Sequence, residues 1–128
     1  MAEKRRILLV DDDADFVEAA KLVLEDAGLQ VDTASDGAEC LDQVRTHPPD
    51  LIVLDVIMAT ELEGFRISHE LRINEETAHI PVVMVSAVYA QQPDLPPPEE
   101  LGLQVAAFLS KPVGPERLLD VVREHLPR

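Results

Sequence analysis

Cysteine is nearly absent from this chain. Cys40 stands alone, so no intrachain disulfide can form and the redox compartment stays open. Its place in a helical pattern fits a structural role better than a reactive one. Positive charge is scarce too. Eleven Lys and Arg against 25 Asp and Glu give a formal net charge of −14. That argues against unassisted binding to DNA, RNA or an anionic membrane, since neutralising phosphates takes clustered Lys and Arg. The one basic run, Lys4-Arg5-Arg6, reads as a solvated flank ahead of a strand. No apolar run reaches membrane-spanning length. The N-terminus lacks a signal peptide's apolar stretch and cleavage site, so the expected compartment is the cytoplasm. No Gly-x-Gly-x-x-Gly follows a strand, which counts against dinucleotide binding. With no internal repeat and no linker, residues 1–128 are expected to form one domain with no output domain attached. At 46% hydrophobic and 28% charged residues, the chain is too apolar for disorder and large enough for a single core.

What the chain does have is a repeated pattern. Ile7-Leu8-Leu9-Val10 runs into Asp11, Asp12 and Asp13, and Leu51-Ile52-Val53-Leu54 into Asp55. Val82-Val83-Met84-Val85 runs into Ser86, and residues 105–109 into Ser110 and Lys111. Short apolar runs alternating with helical patterns read as buried parallel strands in βαβ units. Ligands of such sheets bind outside the carboxyl ends of the strands. Four strands therefore bring carboxylates, a hydroxyl and an ammonium to one edge.

Between these runs, the first helix is expected over 14–27, with Phe16, Ala20, Val23 and Ala27 on its inner face and Gly28 as C-cap. A second short strand covers 31–34. The next helix, 38–46, starts at a Ser35 or Asp36 cap and stops at Pro48-Pro49. A loop through Gly64 leads to a helix at 65–73, and Pro81 opens the fourth strand. Pro93, Pro96, Pro97 and Pro98 leave space only for a short, late helix within 98–103. The last helix starts near Pro115 and presents Leu118, Val122 and Leu126 on one face.

Gathering Asp11, Asp12 and Asp55 is costly without a counter-ion. Two unit charges about 4 Å apart repel by about 4 kcal/mol at an effective dielectric of 20. A shared proton relieves this, and so does a divalent metal. All-oxygen ligands suit Mg²⁺, Mn²⁺ or Ca²⁺, and Mg²⁺ typically takes one or two carboxylates, waters and a phosphate. Lys111 and Ser86 offer an ammonium and a hydroxyl to phosphoryl oxygens, and the Asp55 carboxylate is a natural nucleophile. Taken singly, each residue has a plainer role. Asp13 reads as a helix N-cap, Asp55 as a loop acid, Lys111 as a solvated cation, and Ser86 says nothing. Their joint placement after four separate strands points to phosphoryl transfer, where positioning and charge neutralisation dominate.

The motifs ILLVDDD at 7–13, DLIVLDVIM at 50–58, PVVMVSA at 81–87 and FLSKP at 108–112 resemble the receiver domain of bacterial two-component response regulators. The likeness covers nearly the whole chain. It implies a doubly wound α/β fold, with a five-stranded parallel sheet in the flavodoxin-like order 2-1-3-4-5 and helices on both faces. The fourth helix is expected to be shortened or displaced here. The resemblance further implies that Asp55 accepts a phosphoryl group from a sensor histidine kinase or phosphotransfer protein, without turnover as an enzyme. Mg²⁺ would be held by Asp12 and Asp55, with Asp11 acting largely through water and the backbone carbonyl of Ile57 completing the set. Ser86 and Lys111 would hold phosphoryl oxygens, Phe108 matches the aromatic switch position, and the Lys111-Pro112 peptide would be cis. The switch would be a population shift read by a downstream protein at the 88–110 region, with Leu95 and Leu101 as contact candidates. No direct nucleic-acid or membrane partner is expected.

Three departures qualify the likeness. Ala59 stands where the family carries proline, Gly64 comes one residue late, and the stretch from Ser86 to Lys111 is longer than usual. Ile57 and Val88, each two residues beyond a site residue, cannot hydrogen-bond an attacking water, so slow self-dephosphorylation is expected. Two rival readings stand beside the main one. A pseudo-receiver would serve as an interaction module without phosphorylation; the altered loops favour it and the intact acids, Ser86 and Lys111 oppose it. A phosphatase using Asp55 in turnover would need a general acid two residues on, where Ile57 stands.

Overall fold

The computed structural model describes residues 4–58 and 62–127. Strands and helices alternate as β1 (Arg6–Val10), α1 (Ala14–Asp26), β2 (Gln30–Ala34), α2 (Gly37–Thr46), β3 (Leu51–Leu54), α3 (Glu63–Ile73), β4 (Val82–Ser86), α4 (Val88–Gln91), β5 (Ala107–Ser110) and α5 (Pro115–His125). A 3-10 turn at Pro98–Leu101 lies between α4 and β5. All four ladders are parallel, and the strand order is β2-β1-β3-β4-β5, as the resemblance implies.

Apart from Arg6 at the start of β1 and Ser86 at the end of β4, the three central strands are apolar because both of their faces are covered. The two-residue alternation of a strand divides them cleanly. Leu8, Val10, Ile52, Leu54, Val82 and Met84 meet Cys40 and Val44 of α2, Ile67 and Leu71 of α3, and Val88 of α4. Ile7, Leu9, Leu51, Val53, Val83 and Val85 meet Ala20 and Leu24 of α1 and Leu118, Val121 and Val122 of α5. The edge strands β2 and β5 are only partly buried.

The local signals act much as expected, with instructive exceptions. Asp13 caps α1, its carboxylate accepting the N–H groups of Asp15 and Phe16. On the inner face of α1 it is Leu24, one residue past Val23, that is fully buried. The helix closes at Ala27, and Gly28 follows at φ +91°. Asp36, not Ser35, caps α2. Arg6 does not belong to a solvated flank. It opens β1, its backbone N–H donates to Asp50 Oδ2 at 2.7 Å, and its guanidinium pairs with Asp32 Oδ2 at 3.1 Å. β5 starts at Ala107, later than Val105, and includes Ser110.

The crossover from β4 to β5 departs most from expectation. Its α-helical turn comes early, at Val88–Gln91, and the late segment is a 3-10 turn. Pro93 accounts for the early stop. The residue before a proline is pushed towards extended backbone, and Gln92 sits at φ −133°, ψ 76°. The fourth helix is thus reduced to one turn.

Candidate functional site

Each residue at the carboxyl edge is fixed by a ladder that continues past its strand. The Asp11 N–H donates to Ala34 O at 3.0 Å, the Asp55 N–H to Val10 O at 2.9 Å, and the Lys111 N–H to Ser86 O at 3.0 Å. Ser86 is the last residue of β4 and pairs with Ser110. Residues far apart in sequence are therefore held in register by backbone bonds before any side chain interacts.

The side chains converge. Asp11 and Asp55 are buried, at 4% and 5% exposure, and Asp12 beside them is exposed. One carboxylate oxygen from each of Asp11, Asp12 and Asp55 lies within 4.8 Å of the other two, spacing that could hold a metal ion. The donor set is all oxygen, which fits a hard divalent cation. The Lys111 ammonium donates to Asp11 Oδ2 at 2.8 Å and stands 3.6 Å from Asp55 Oδ2. The other oxygen of Asp11 accepts from the Asp13 N–H at 2.9 Å, and Asp55 Oδ1 accepts from the Ile57 N–H at 3.2 Å. Asp13 thus has two duties, capping α1 and orienting Asp11. Ser86 is buried at 1% exposure, and its Oγ accepts from the Val88 N–H at 3.2 Å. The Lys111–Pro112 peptide is cis.

Burial shapes the charges. Desolvation lifts the Asp11 carboxyl to about 6, against the opposing hydrogen bonds from Lys111 and Asp13 and with the help of the nearby Asp55 charge. For Lys111, burial disfavours the ammonium, but the bond to Asp11 and the fields of Asp11, Asp55 and Asp13 outweigh it and raise its pKa. An acid cluster in which a buried carboxyl holds its proton more tightly than usual, and which draws in an ammonium, is short of positive charge. Away from the site, burial pushes the Cys40 thiol up to about 12, which leaves it inert.

Phe108 lies half-buried on β5, opposite Met84 in the ladder. Tyr89 of α4 meets it edge-on, with ring centres 5.1 Å apart and planes at 71°. The Tyr89 hydroxyl donates to Pro96 O at 2.6 Å, which ties α4 to the proline-rich segment. Tyr89 has no expected role in the sequence, and Phe16, expected only on the inner face of the first helix, has its ring under the Lys111 ammonium at 4.6 Å. Tyr89's position three residues beyond Ser86, and Phe16's in the first turn after the acids, were the available signals.

The loop after Asp55 closes through Gly64. Its N–H donates to Val56 O at 2.8 Å. A Cβ there would stand 2.1 Å from Asp55 O and 2.5 Å from Val56 Cα, so only glycine lets α3 approach the acid's backbone. Leu62, two residues earlier, adopts φ +65°. Ala59 lies outside the described residues. No helix among the described residues is long and apolar enough to cross a membrane.

The model of the response regulator receiver domain family matches residues 7–123. The chain is 36% identical to the alkaline phosphatase synthesis transcriptional regulatory protein PhoP of Bacillus subtilis, over 97% of this chain and 49% of that protein. It is 34% identical to response regulator Rre1 of Synechocystis, over the whole chain and 54% of the relative. The chain therefore spans about half the length of these two regulators. With the polar-differentiation response regulator DivK of Brucella ovis the identity is 30%, over 95% of this chain and 96% of that one. Among solved structures, the chemotaxis response regulator CheY4 of Vibrio cholerae superposes with a TM-score of 0.80 at 27% identity, covering 95% of this chain and 98% of that one. The non-phosphorylated HemR receiver domain of Leptospira biflexa gives 0.79 at 28%, covering 98% of each.

Proposed function

Since the chain belongs to the response-regulator receiver domain family, whose members are signalling modules rather than turnover enzymes, we propose that it is a phosphoacceptor switch with Asp55 as the acceptor. The observation that carries this reading is the buried Asp55 carboxylate, set between two further acids and the Lys111 ammonium 3.6 Å away. The donor is a phosphohistidine of a sensor histidine kinase or phosphotransfer protein. An Asp55 oxygen attacks the phosphorus, the new O–P bond forms as the N–P bond breaks, and the imidazole nitrogen leaves with the electron pair and takes up a proton. Lys111 follows the charge onto one phosphoryl oxygen. Ser86, whose Oγ accepts from the Val88 N–H, has its hydroxyl proton to donate to another. Mg²⁺ held by Asp12 and Asp55, with Asp11 largely through water and the Ile57 carbonyl, would supply the counter-charge these acids lack. The reading takes residues 1–128 as one receiver domain. Its downstream partner is a protein that meets the 88–110 region.

The deciding experiment is labelling by acetyl phosphate or phosphoramidate with and without Mg²⁺, read by intact mass, with Asp55→Asn as control. The gain of one phosphoryl group, dependent on both metal and Asp55, is the expected result. No gain under either condition would reject the reading and leave the pseudo-receiver in its place.

A further inference from the structure

Lys111 has a contact that the acids do not explain. While it donates to Asp11 at 2.8 Å, its ammonium also lies over the Phe16 ring, 4.6 Å from the centroid. The ring is anchored in turn. Phe16 sits in the first turn of α1, where its N–H bonds Asp13 Oδ1 at 3.3 Å. The Asp13 N–H bonds Asp11 Oδ1 at 2.9 Å. Acid, cap, ring and ammonium form a closed circuit.

A cation over an aromatic face is attracted by the ring's quadrupole. This pull differs from the two ion pairs in one respect. Asp11 and Asp55 draw Lys111 strongly only while their charge is uncompensated. A divalent cation among the acids weakens both attractions. The ring carries no net charge and is not a ligand for such an ion, so its hold persists in either state.

We propose that Phe16 is a positioning residue for Lys111, its ring face keeping the ammonium beside Asp55 when the acids are engaged by a cation. The kinetic consequence rests on the phosphoacceptor reading; the contact itself does not.

Two measurements test it. In the first, Phe16→Leu keeps an apolar side chain and removes the π face, while Phe16→Tyr retains the face. At saturating Mg²⁺, acetyl phosphate is expected to label Phe16→Leu about three- to tenfold more slowly than wild type, with Phe16→Tyr restoring the rate to within about twofold. In a Lys111→Met background, Phe16→Leu is expected to slow labelling no further. Equal slowing with and without Lys111, or no rescue by tyrosine, would reduce Phe16 to packing and overturn the proposal. The second measurement needs no phosphorylation. The Lys111 ε-methylene protons are expected to show an upfield ring-current shift by NMR in wild type, with or without Mg²⁺, and to lose it in Phe16→Leu. Disappearance of the shift when Mg²⁺ is added to wild type would overturn the proposal. Failure of wild type to be labelled would reject the phosphoacceptor reading alone, and the NMR result would still decide for Phe16.

Discussion

Asp11 governs how the acid cluster answers to pH. Its carboxyl stands at 3.8 in the unfolded reference and about 6 in the fold, so the folded chain binds this proton more tightly. Without metal, the contribution of this group to stability is therefore expected to fall as pH rises from about 4 to 6. A divalent cation competes with the same proton, so Mg²⁺ affinity is expected to weaken as pH falls through about 6. Calorimetric titration at pH 5, 6 and 7.5 checks this; an affinity flat across the range contradicts it. By the same sign, stripping Mg²⁺ with a chelator should lower Tm more at pH 7.5 than at pH 5. Ile57 and Val88 carry the other residue-scale expectation. Neither side chain can orient water, so phosphoryl loss from Asp55 should be slow, and Ile57→Asn should hasten it. A wild-type half-life of seconds would refute this.

At the scale of elements, the close approach of α3 to the Asp55 backbone is the most exacting feature. Gly64→Ala forces a methyl to within 2.1 Å of Asp55 O, and overpacking of this kind costs about 1–3 kcal/mol or more. Urea denaturation should show that loss, and Asp55 labelling should slow with it; a neutral substitution would mean that α3 shifts freely. The one-turn α4 leaves the crossover to the proline-rich segment, where Leu101 is 40% exposed and Leu95 packs in part against the core. Leu101→Ala is expected to weaken capture of the downstream protein while leaving Asp55 labelling intact. Unchanged binding would move the contact face elsewhere. Elements of this kind divide by legibility. The central strands and the Asp13 cap follow from short-range rules, apolar continuity and capping chemistry, and both were readable. The early α4 turn was masked by the prolines after it, which marked where a helix could not be and drew the expectation too late in the chain.

For the molecule as a whole, the parallel α/β class was legible because strand and helix patterns alternate, whereas the order 2-1-3-4-5 came from the family resemblance. The gathering of Asp11, Asp55, Ser86 and Lys111 at one sheet edge followed from their places after four parallel strands. Contacts set by tertiary approach were not legible. The Arg6 pairing with Asp32, and the Lys111 ammonium over Phe16, join residues that no local pattern links. The sheet order brings them together only once the chain has closed.

The edge-on pairing of Tyr89 and Phe108 has an optical consequence. The chain has one tyrosine and no tryptophan, so its near-ultraviolet emission comes almost wholly from a ring whose hydroxyl is tied to Pro96 O. Any rearrangement of β4, α4 or β5 that loosens that bond or swings Phe108 aside changes the quantum yield of a single fluorophore. The protein carries a built-in, label-free reporter of its own state, which stopped-flow fluorescence can follow in real time.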